Sequence, residues 1–400
     1  MKTTTSAADA PFASVAGELL IVGAEPAGMA AALAAAPSGA SITLLDNNLA
    51  PSGQIWRDGS SVCLPPQALR QREALARYDK LILCTGIREL LLPFPGWTLP
   101  GVTGVGGLQA LIKGGLAFAG ERIVIAGSGP LLLAVAATAR RRGARVLRVA
   151  EQASLALLAG FTTPLARWPS KAIQALTRLD KNYRSSSHVV SAQGDDRVES
   201  VCLQQGDRVV DMACDRVACG YGLIPNTGLG QLLGCALAPA SGCPPGLAFD
   251  SFQATCIPDV YAAGECTGFG GCERGQAQGR IAGHAAVGKI IAAQQGWSER
   301  DSKEAFASQL QRWFPLADSL RQLPEPETLV CRCEDVPHQA LVQSGSWIDA
   351  KLHNRCAMGA CLGRVCGAAA QLLHDWAMPA PRFPLSPARI TTIASLLNED

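Results

Sequence analysis

Residues 18–28 read ELLIVGAEPAG, an apolar run followed by a turn that contains two glycines. Residues 29–36 continue as the alanine-rich MAAALAAA, and residues 41–46 read SITLLD, a second apolar run that ends in an acid. This order predicts a strand, a tight turn, a helix and a second strand closed by a carboxylate. Such a unit opens a dinucleotide-binding fold of the α/β class.

Three residues of this opening unit are predicted to bind a nucleotide. Gly23 and Gly28 would shape the turn, and Asp46 would accept hydrogen bonds from the ribose hydroxyls. The usual pattern has another glycine where the backbone approaches the pyrophosphate, and this chain has Glu25 there. A carboxylate adds bulk and like-charge repulsion, on the order of 1 to 4 kcal/mol for one contact in a wet site. We therefore expect weakened phosphate binding at this turn.

A second copy of the pattern occupies residues 121–151, which read ERIVIAGSGPLLLAVAATARRRGARVLRVAE. Gly127 and Gly129 form the predicted turn, Leu132 replaces the third glycine, and Glu151 ends the second strand. This pocket would hold NAD or remain empty, and an acid at Glu151 would disfavour the 2′-phosphate of NADP. FMN is a further candidate cofactor of the chain. The alternative is a pair of ordinary strand-to-helix turns that bind nothing.

A third element, residues 258–288, carries a short strand, a glycine-rich loop and a helix with small residues along one face. Gly264 and Glu265 follow the strand directly. In flavin folds an acid at this place contacts the ribityl hydroxyls while the helix start faces the cofactor. Gly264 and Glu265 are therefore predicted cofactor-binding residues. The alternative is a surface loop closed by a glutamate.

The chain contains fifteen cysteines, and a third of them crowd into one short segment near the carboxyl end. These are Cys331, Cys333, Cys356, Cys361 and Cys366. An iron–sulfur cluster needs four thiolates held by backbone turns, and the nearby arginines and glycines suit one. Zinc is the competing ligand, but zinc sites favour CxxC spacings, which this segment lacks. The pattern favours a [2Fe–2S] cluster, with five candidates for four ligand places.

Composition excludes several classes of protein. The 400 residues are 48% hydrophobic and 17% charged, which suits buried cores in two or more domains rather than a disordered chain. Thirty-five basic residues against thirty-three acidic ones leave a net charge of +2, so no large field attracts nucleic acid. No stretch of eighteen apolar residues and no apolar leader are found, so we expect neither a membrane span nor secretion. Ten cysteines scattered singly from Cys63 to Cys272 indicate a reducing cytoplasm.

Motifs along nearly the whole chain resemble those of a known flavoprotein family. They read VGAEPAGMAAA, SGQIWR, YDKLILCTGIRELLLPFPGWTLPGV, IAGSGPLLLAVAA, GYGLIPNT, VYAAGECTGFGG and GRIAGHAAVGK. The chain thereby resembles the glutathione-reductase-like proteins with two dinucleotide domains, specifically the A-type subunits of bacterial opine oxidase, D-hydroxyproline dehydrogenase and hydrogen cyanide synthase. The resemblance implies FAD as a cofactor. The family has a longer stretch where this chain runs from Arg57 to Tyr78, so the first domain is predicted to be shortened.

The carboxyl-terminal motifs VCRCEDVP and NRCAMGACLGRVCG resemble the bacterioferritin-associated-ferredoxin-like [2Fe–2S] domain that is fused to this family. The resemblance implies Cys331, Cys333, Cys361 and Cys366 as the cluster ligands. It leaves Cys356 as a neighbour of the cluster.

The expected fold is α/β, with two Rossmann-like domains and a small, mainly helical [2Fe–2S] domain. The FAD-binding domain would take residues 1–116 and 224–297, the second dinucleotide domain 117–223, a linker helix 298–327, and the cluster domain with its tail 328–400. The linker helix itself is predicted over residues 303–314.

The resemblance implies an electron-transfer subunit of a heteromeric dehydrogenase. A partner flavoprotein subunit would oxidise the CH–NH or CH–NH2 group of an opine, hydroxyproline or similar amino-acid derivative, and this chain would pass the electrons on. No catalytic residue is predicted in the chain itself, because no persuasive general base appears. Two alternatives remain open: a scaffold subunit with a degenerate FAD site that keeps only the cluster, and a stand-alone NADH-linked reductase.

Overall fold

The computed structural model describes residues 13–47, 74–238, 244–388 and 390. The motif SGQIWR and residues 57–73 of the predicted shortened segment lie outside the described residues.

The first dinucleotide unit begins as the sequence predicts. Its elements are β1 (Ala13–Val22), α1 (Pro26–Ala35), β2 (Ile42–Leu45) and β3 (Ala74–Leu83). Strand β1 pairs in parallel with β2 on one side and with β3 on the other. Because parallel strands end at the same edge of a sheet, the turn after β1 and the acid after β2 lie together.

The chain then crosses to the second unit. Its elements are β4 (Ile87–Glu89), β5 (Val102–Gly104), α2 (Val105–Lys113), β6 (Arg122–Gly127), α3 (Leu131–Arg141), β7 (Arg145–Glu151), α4 (Leu155–Leu165), α5 (Pro169–Arg178), β8 (Tyr183–Arg184), β9 (Ser187–Gln193), β10 (Ser200–Gln205), β11 (Arg208–Ala213) and β12 (Arg216–Gly220). A parallel sheet runs in the order β5-β12-β6-β7-β8, and β9, β10 and β11 form an antiparallel sheet beside it.

The chain returns to the first unit through β13 (Leu223–Pro225), α6 (Gly228–Leu232), β14 (Val260–Ala262), α7 (Gly271–Ala286), α8 (Ile290–Gln295) and α9 (Trp297–Trp313). Strand β13 pairs antiparallel with β4, and β14 joins β3 in parallel to complete the order β14-β3-β1-β2. The predicted α/β class with two Rossmann-like units is therefore confirmed. The helix expected over residues 303–314 begins earlier, at Trp297.

The carboxyl-terminal region is mainly helical, as expected. It contains β15 (Leu329–Cys331), β16 (Val336–Pro337), α10 (His338–Val342), α11 (Trp347–Asn354) and α12 (Cys366–His374). Buried cysteines form part of its apolar core, together with Val330, Leu341 and Trp347. Across the described ranges, no helix combines the length and the apolar character needed to cross a membrane.

Helices α1 and α7 touch through their backbones because glycines face α1. A β-carbon on Gly279 would lie 2.1 Å from the carbonyl oxygen of Ala27, and one on Gly283 would lie 2.3 Å from that of Ala31. No L side chain fits at such distances, so α7 requires glycine and α1 requires small residues at this crossing. The stripe of small residues read from the sequence is therefore a packing surface.

We expect Gly279→Ala to destabilise the protein by about 2 kcal/mol or more, because the added methyl group overpacks the helix crossing. Urea unfolding of the full chain measures this free energy. Gly345→Ala is the matched control, since a β-carbon there meets nothing within 4 Å, and it should change stability by less than about 0.5 kcal/mol. Equal stabilities of the two variants would show that the helices separate without cost.

Candidate nucleotide cleft and metal centre

A cleft of about 2770 Å³ lies between the first dinucleotide unit and the carboxyl-terminal region. Gly23 and Asp46 line one side, Trp347 and Arg364 line the other, and residues 377–386 run along it. Ligand pockets usually measure about 300 to 1,000 Å³, so this cleft has room for a large nucleotide. The structure thus brings the predicted ribose acid and the predicted cluster region to one cavity.

The glycine turn after β1 is tightly packed. The Ala24 backbone N–H donates to Asp46 Oδ2 at 2.5 Å. A β-carbon on Gly23, whose φ is 108°, would lie 2.0 Å from the carbonyl oxygen of Cys84, and one on Gly28 would lie 1.8 Å from that of Gly23. Gly23 and Asp46 therefore border the cleft, whereas Gly28 lets α1 begin close against the strand.

The acid of the return segment lies in a second, small pocket of about 20 Å³. Glu265 accepts a hydrogen bond from the Gly271 backbone N–H at 3.1 Å. The Gly264 N–H and the Thr267 hydroxyl donate to the buried Gln278 side-chain oxygen at 2.9 and 3.0 Å. Gln278 therefore holds the turn that carries Glu265, a role that no sequence motif predicts. The only sequence signal for it is an amide within the small-residue stretch of α7.

Glu25 lies between the cleft and the small pocket, because it lines both. Its carboxylate rests against the turn after β3, where a β-carbon on Gly86 would lie 3.1 Å from Glu25 Oε2. Burial raises the pKa of Glu265, and the negative charge of Glu25 adds to that rise. The cleft residues fit a nucleotide, but a dinucleotide that reaches from Asp46 to Glu265 requires the Glu25 side chain to move.

The second glycine turn differs, because its acid is sealed inside the chain. The Glu151 carboxylate accepts hydrogen bonds from the Gly129 N–H at 2.7 Å and the Ala153 N–H at 2.9 Å. Glu151 is 0% exposed, and the hydroxyls of Tyr183 and Ser128 lie beside it. In this fold a ribose has no access to the Glu151 carboxylate.

A segment that follows α9 is tied to the same turn through Gln152. The Gln152 side-chain amide donates to Ser128 Oγ at 3.0 Å and to the Pro315 carbonyl oxygen at 2.8 Å. Its oxygen accepts from the Ala317 N–H at 3.0 Å, and its backbone N–H donates to the Gly127 carbonyl oxygen at 2.9 Å. Gln152 therefore links the second glycine turn, through Ser128 and Gly127, to the segment after α9.

The five carboxyl-terminal cysteines form a buried triad and an outer pair. The sulfurs of Cys331, Cys356 and Cys366 all lie within 4.8 Å of one another and are buried. Outside the triad, Cys333 and Cys361 interact electrostatically with each other. Cys333 is exposed and Cys361 is partly exposed. The structure thus places Cys356, which the resemblance leaves out of the ligand set, against Cys331 and Cys366.

The backbone around these thiols is tightly curled. A β-carbon on Gly359 would lie 2.3 Å from the β-carbon of Cys333, while Ala357 and Leu362 have left-handed φ angles of 65° and 51°. Hydrogen bonds from the two triad thiols, and then from backbone N–H groups that include that of Ala357, lower the pKa of Cys331. Left-handed non-glycine residues and amides aimed at sulfur are typical of a loop built around an anionic centre.

Trp97 joins this centre to the rest of the chain through two contacts. Trp97, in the loop after β4, donates its indole N–H to the Leu329 carbonyl oxygen at 2.6 Å. The guanidinium of Arg332 lies 5.1 Å from the centre of the Trp97 ring. Arg355 forms an ion pair with Glu334 at 2.7 Å within the loop itself. The cysteine loop is therefore fixed to the body through Trp97, for which the sequence gives no functional signal.

Residues 54–287, more than half of the chain, match the family model described as pyridine nucleotide-disulphide oxidoreductase. The chain belongs to this family. The recognition made from the sequence is confirmed, and the chain is an oxidoreductase.

Two curated relatives of this pyridine nucleotide-disulphide oxidoreductase are subunits of larger enzymes by name. It is 32% identical over 345 residues to hydrogen cyanide synthase subunit HcnB of Pseudomonas protegens, covering 78% of this chain and 74% of that protein. It is 28% identical over 454 aligned residues to the A-type subunit of opine oxidase from Agrobacterium tumefaciens, covering 94% and 88%. The predicted relationship to opine oxidase and hydrogen cyanide synthase subunits is therefore confirmed.

One solved structure shares the fold of this oxidoreductase over nearly its whole length. L-proline dehydrogenase from P. horikoshii superposes with a TM-score of 0.64 at 15% identity, covering 96% of this chain and 81% of that one. At this identity the likeness concerns the fold alone.

The buried Glu151 carboxyl makes stability depend on pH. Burial raises its pKa from 4.5 to about 7, so the folded chain binds more protons than the unfolded chain between those values. The free energy of unfolding should fall as the pH rises through this range, by at most about 1.4 kcal/mol per pH unit. Glu151→Gln should remove about 2 kcal/mol of the fall between pH 5 and pH 8, measured by urea unfolding.

Glu199→Gln is the control for this measurement, because Glu199 is exposed on the same unit. It should keep the pH dependence of the unchanged chain. Identical pH profiles for all three proteins would contradict the raised pKa of Glu151.

Proposed function

We propose that the chain is a flavin and iron–sulfur electron-transfer subunit of a heteromeric amine or imino-acid dehydrogenase. One observation carries this proposal: the cysteine centre and the nucleotide cleft share a wall. Trp347 and Ala357 line the cleft, and both pack in one apolar cluster with Cys356 and Cys366. An electron carrier needs its redox groups close together and held by rigid packing, and this wall supplies both conditions.

The proposed metal group is a [2Fe–2S] cluster held by Cys331, Cys333, Cys361 and Cys366. Each iron of such a cluster takes two thiolates, so the ligands must come as two pairs. The Cys331 and Cys366 sulfurs form one close pair within the triad, and Cys333 and Cys361 form the other. Cys356 is the rival ligand because its sulfur lies equally close to the first pair.

The proposed flavin is FAD in the first unit. Gly23 and Asp46 would hold the nucleotide in the cleft, Gly28 would set the start of α1, and Gly264 with Glu265 would receive the far end after Glu25 moves. A bound flavin supplies reversible hydride and electron acceptance, and the chain supplies binding and orientation.

For the second unit we propose that Gly127, Gly129 and Glu151 stay empty of NAD, since the hydrogen bonds of Glu151 are all internal. A stand-alone NADH-linked reductase is disfavoured for the same reason.

The names of the curated relatives support the proposed substrate and partner. The A-type subunit of opine oxidase supports an amino-acid derivative with a CH–NH or CH–NH2 group as the electron donor, and the naming of both curated relatives as subunits supports a partner. We propose that a partner flavoprotein subunit oxidises this donor and that the present chain accepts the electrons. The free thiols of all described cysteines accord with a reducing cytoplasm.

A scaffold subunit is the second candidate, because Glu25 stands between the cleft and Glu265. A visible spectrum of anaerobically purified protein separates the two functions. Flavin bands together with iron–sulfur absorption support the carrier, and iron–sulfur absorption alone supports the scaffold. Protein without iron would overturn both.

Cys361→Ser should lose the cluster and Cys356→Ser should keep it, because the first removes a proposed ligand and the second a neighbour. Iron and acid-labile sulfide per chain, with the electron paramagnetic resonance signal of the reduced protein, measure the outcome. The opposite result would assign Cys356 to the site in place of Cys361. Equal iron in both variants would refute the proposed ligand set.

Glu25→Gly should tighten FAD binding by at least about fivefold, because it removes about 1 kcal/mol or more of charge repulsion and opens the way to Glu265. Titration of the apoprotein with FAD, followed by flavin fluorescence, measures the affinity. Asp79→Asn, a change of equal charge on an exposed residue of β3, should leave it unchanged. An unaltered affinity in Glu25→Gly would show that this carboxylate does not face the cofactor.

A further inference from the structure

Two arginines from distant parts of the chain meet at the cleft. Arg88 lies on β4, just past the Thr85–Gly86 turn, and Arg364 lies in the loop between Cys361 and Cys366. Arg88 Nε donates to the Arg364 carbonyl oxygen at 3.2 Å, which joins β4 to the cysteine loop. Both side chains line the cleft.

The hydrogen bonds of these arginines go to neutral oxygens. Arg88 Nη1 donates to Asn226 Oδ1 at 2.9 Å and to the Pro225 carbonyl oxygen at 3.4 Å, and Arg364 Nη2 donates to the Leu385 carbonyl oxygen at 3.2 Å. Within the described part of the chain, neither guanidinium forms an ion pair with a carboxylate. Arg88 Nη2 and Arg364 Nε and Nη1 donate to no described residue, so donors remain for a ligand.

The two guanidinium groups repel each other electrostatically. Burial, and then the positive charge of Arg364, lower the pKa of the Arg88 guanidinium. Two like charges held together in a cavity cost free energy that a bound anion offsets. The planar guanidinium of arginine also presents paired N–H donors that match the oxygens of a phosphate.

The lining of the cleft contains groups of both charges. Glu25 follows β1, Asp46 follows β2, and Arg88 and Arg364 line the same cleft. The two arginines attract an anionic group that enters the cleft. The glycine turn is the usual phosphate site of this fold, but here its central position is a carboxylate.

We propose that Arg88 and Arg364 form a phosphate-binding site that takes a phosphate group of a flavin nucleotide. The inference rests on the proposed flavin function and adds that the phosphate contact is made by the arginine pair rather than by the glycine turn alone. The docking of the cysteine loop completes the site, because Arg364 comes from that loop. The phosphate belongs either to FMN or to the diphosphate of FAD, and the two are distinguished by the ligands used.

The test is a calorimetric titration of the full chain with FMN, FAD and riboflavin, which share the ring system and differ in phosphate. FMN or FAD should bind at least tenfold more tightly than riboflavin. Arg364→Gln should weaken the binding of that nucleotide by about 10 to 100-fold and leave the binding of riboflavin unchanged. The reason is that the substitution removes charged hydrogen bonds to the phosphate only. Arg88→Lys should weaken it several-fold, because lysine keeps the charge and loses the fork.

Arg178→Gln, an equal change of charge on an exposed residue at the end of α5, is the control and should bind all three flavins as the unchanged chain does. A loss of affinity confined to FMN assigns the site to a terminal phosphate, and a loss of affinity for FAD assigns it to the diphosphate. Nucleotide affinities unchanged in both arginine variants, or riboflavin weakened equally, would overturn the proposal. Iron per chain is measured in every sample as a separate test of the proposed function. The phosphate site and the iron–sulfur function can therefore be refuted independently.

Discussion

The contact between the backbones of α1 and α7 is the constraint on which the first unit depends. Gly279 and Gly283 let α7 approach Ala27 and Ala31 to a distance at which no side chain fits. This approach brings the turn after β1 next to Gly264 and the start of α7, although more than two hundred residues separate them in the chain. Glu25 reaches the pocket of Glu265 for the same reason. A pair of more widely spaced helices would leave the two predicted halves of the flavin site apart.

The carboxyl-terminal region packs against the dinucleotide units and contributes part of the lining of the cleft. The indole of Trp97 bonds to Leu329, and Arg88 bonds to the carbonyl of Arg364. These contacts fix the cysteine loop over the cleft, so that Trp347 belongs to the cysteine core on one side and to the cleft wall on the other. The cysteine centre and the cleft share residues and are positioned by one packing arrangement, as the proposed electron transfer requires.

The two dinucleotide units show how one sequence pattern leads to different sites. Both place an acid after the second strand, and in both the acid accepts a hydrogen bond from the glycine turn. Asp46 borders an open cleft. Glu151 is enclosed by Tyr183, Ser128 and a turn held through Gln152 to the segment after α9. Surroundings that come from other parts of the chain therefore decide which acid can meet a ligand.

Sequence alone determined the α/β class, both strand–turn–helix units, the return segment and the gathering of cysteines, because these follow from apolar periodicity, glycines and residue types that are local in the chain. It also singled out Glu25, whose unusual character is visible at one position. Only the tertiary structure decided that Glu151 is sealed and that Cys356 lies within the sulfur triad. It also decided that Gln278 and Trp97 hold the neighbouring turns and that Arg88 and Arg364 line the cleft. Burial, the saturation of hydrogen bonds and the meeting of charges depend on groups far apart in the chain. No local pattern records which of those groups become neighbours.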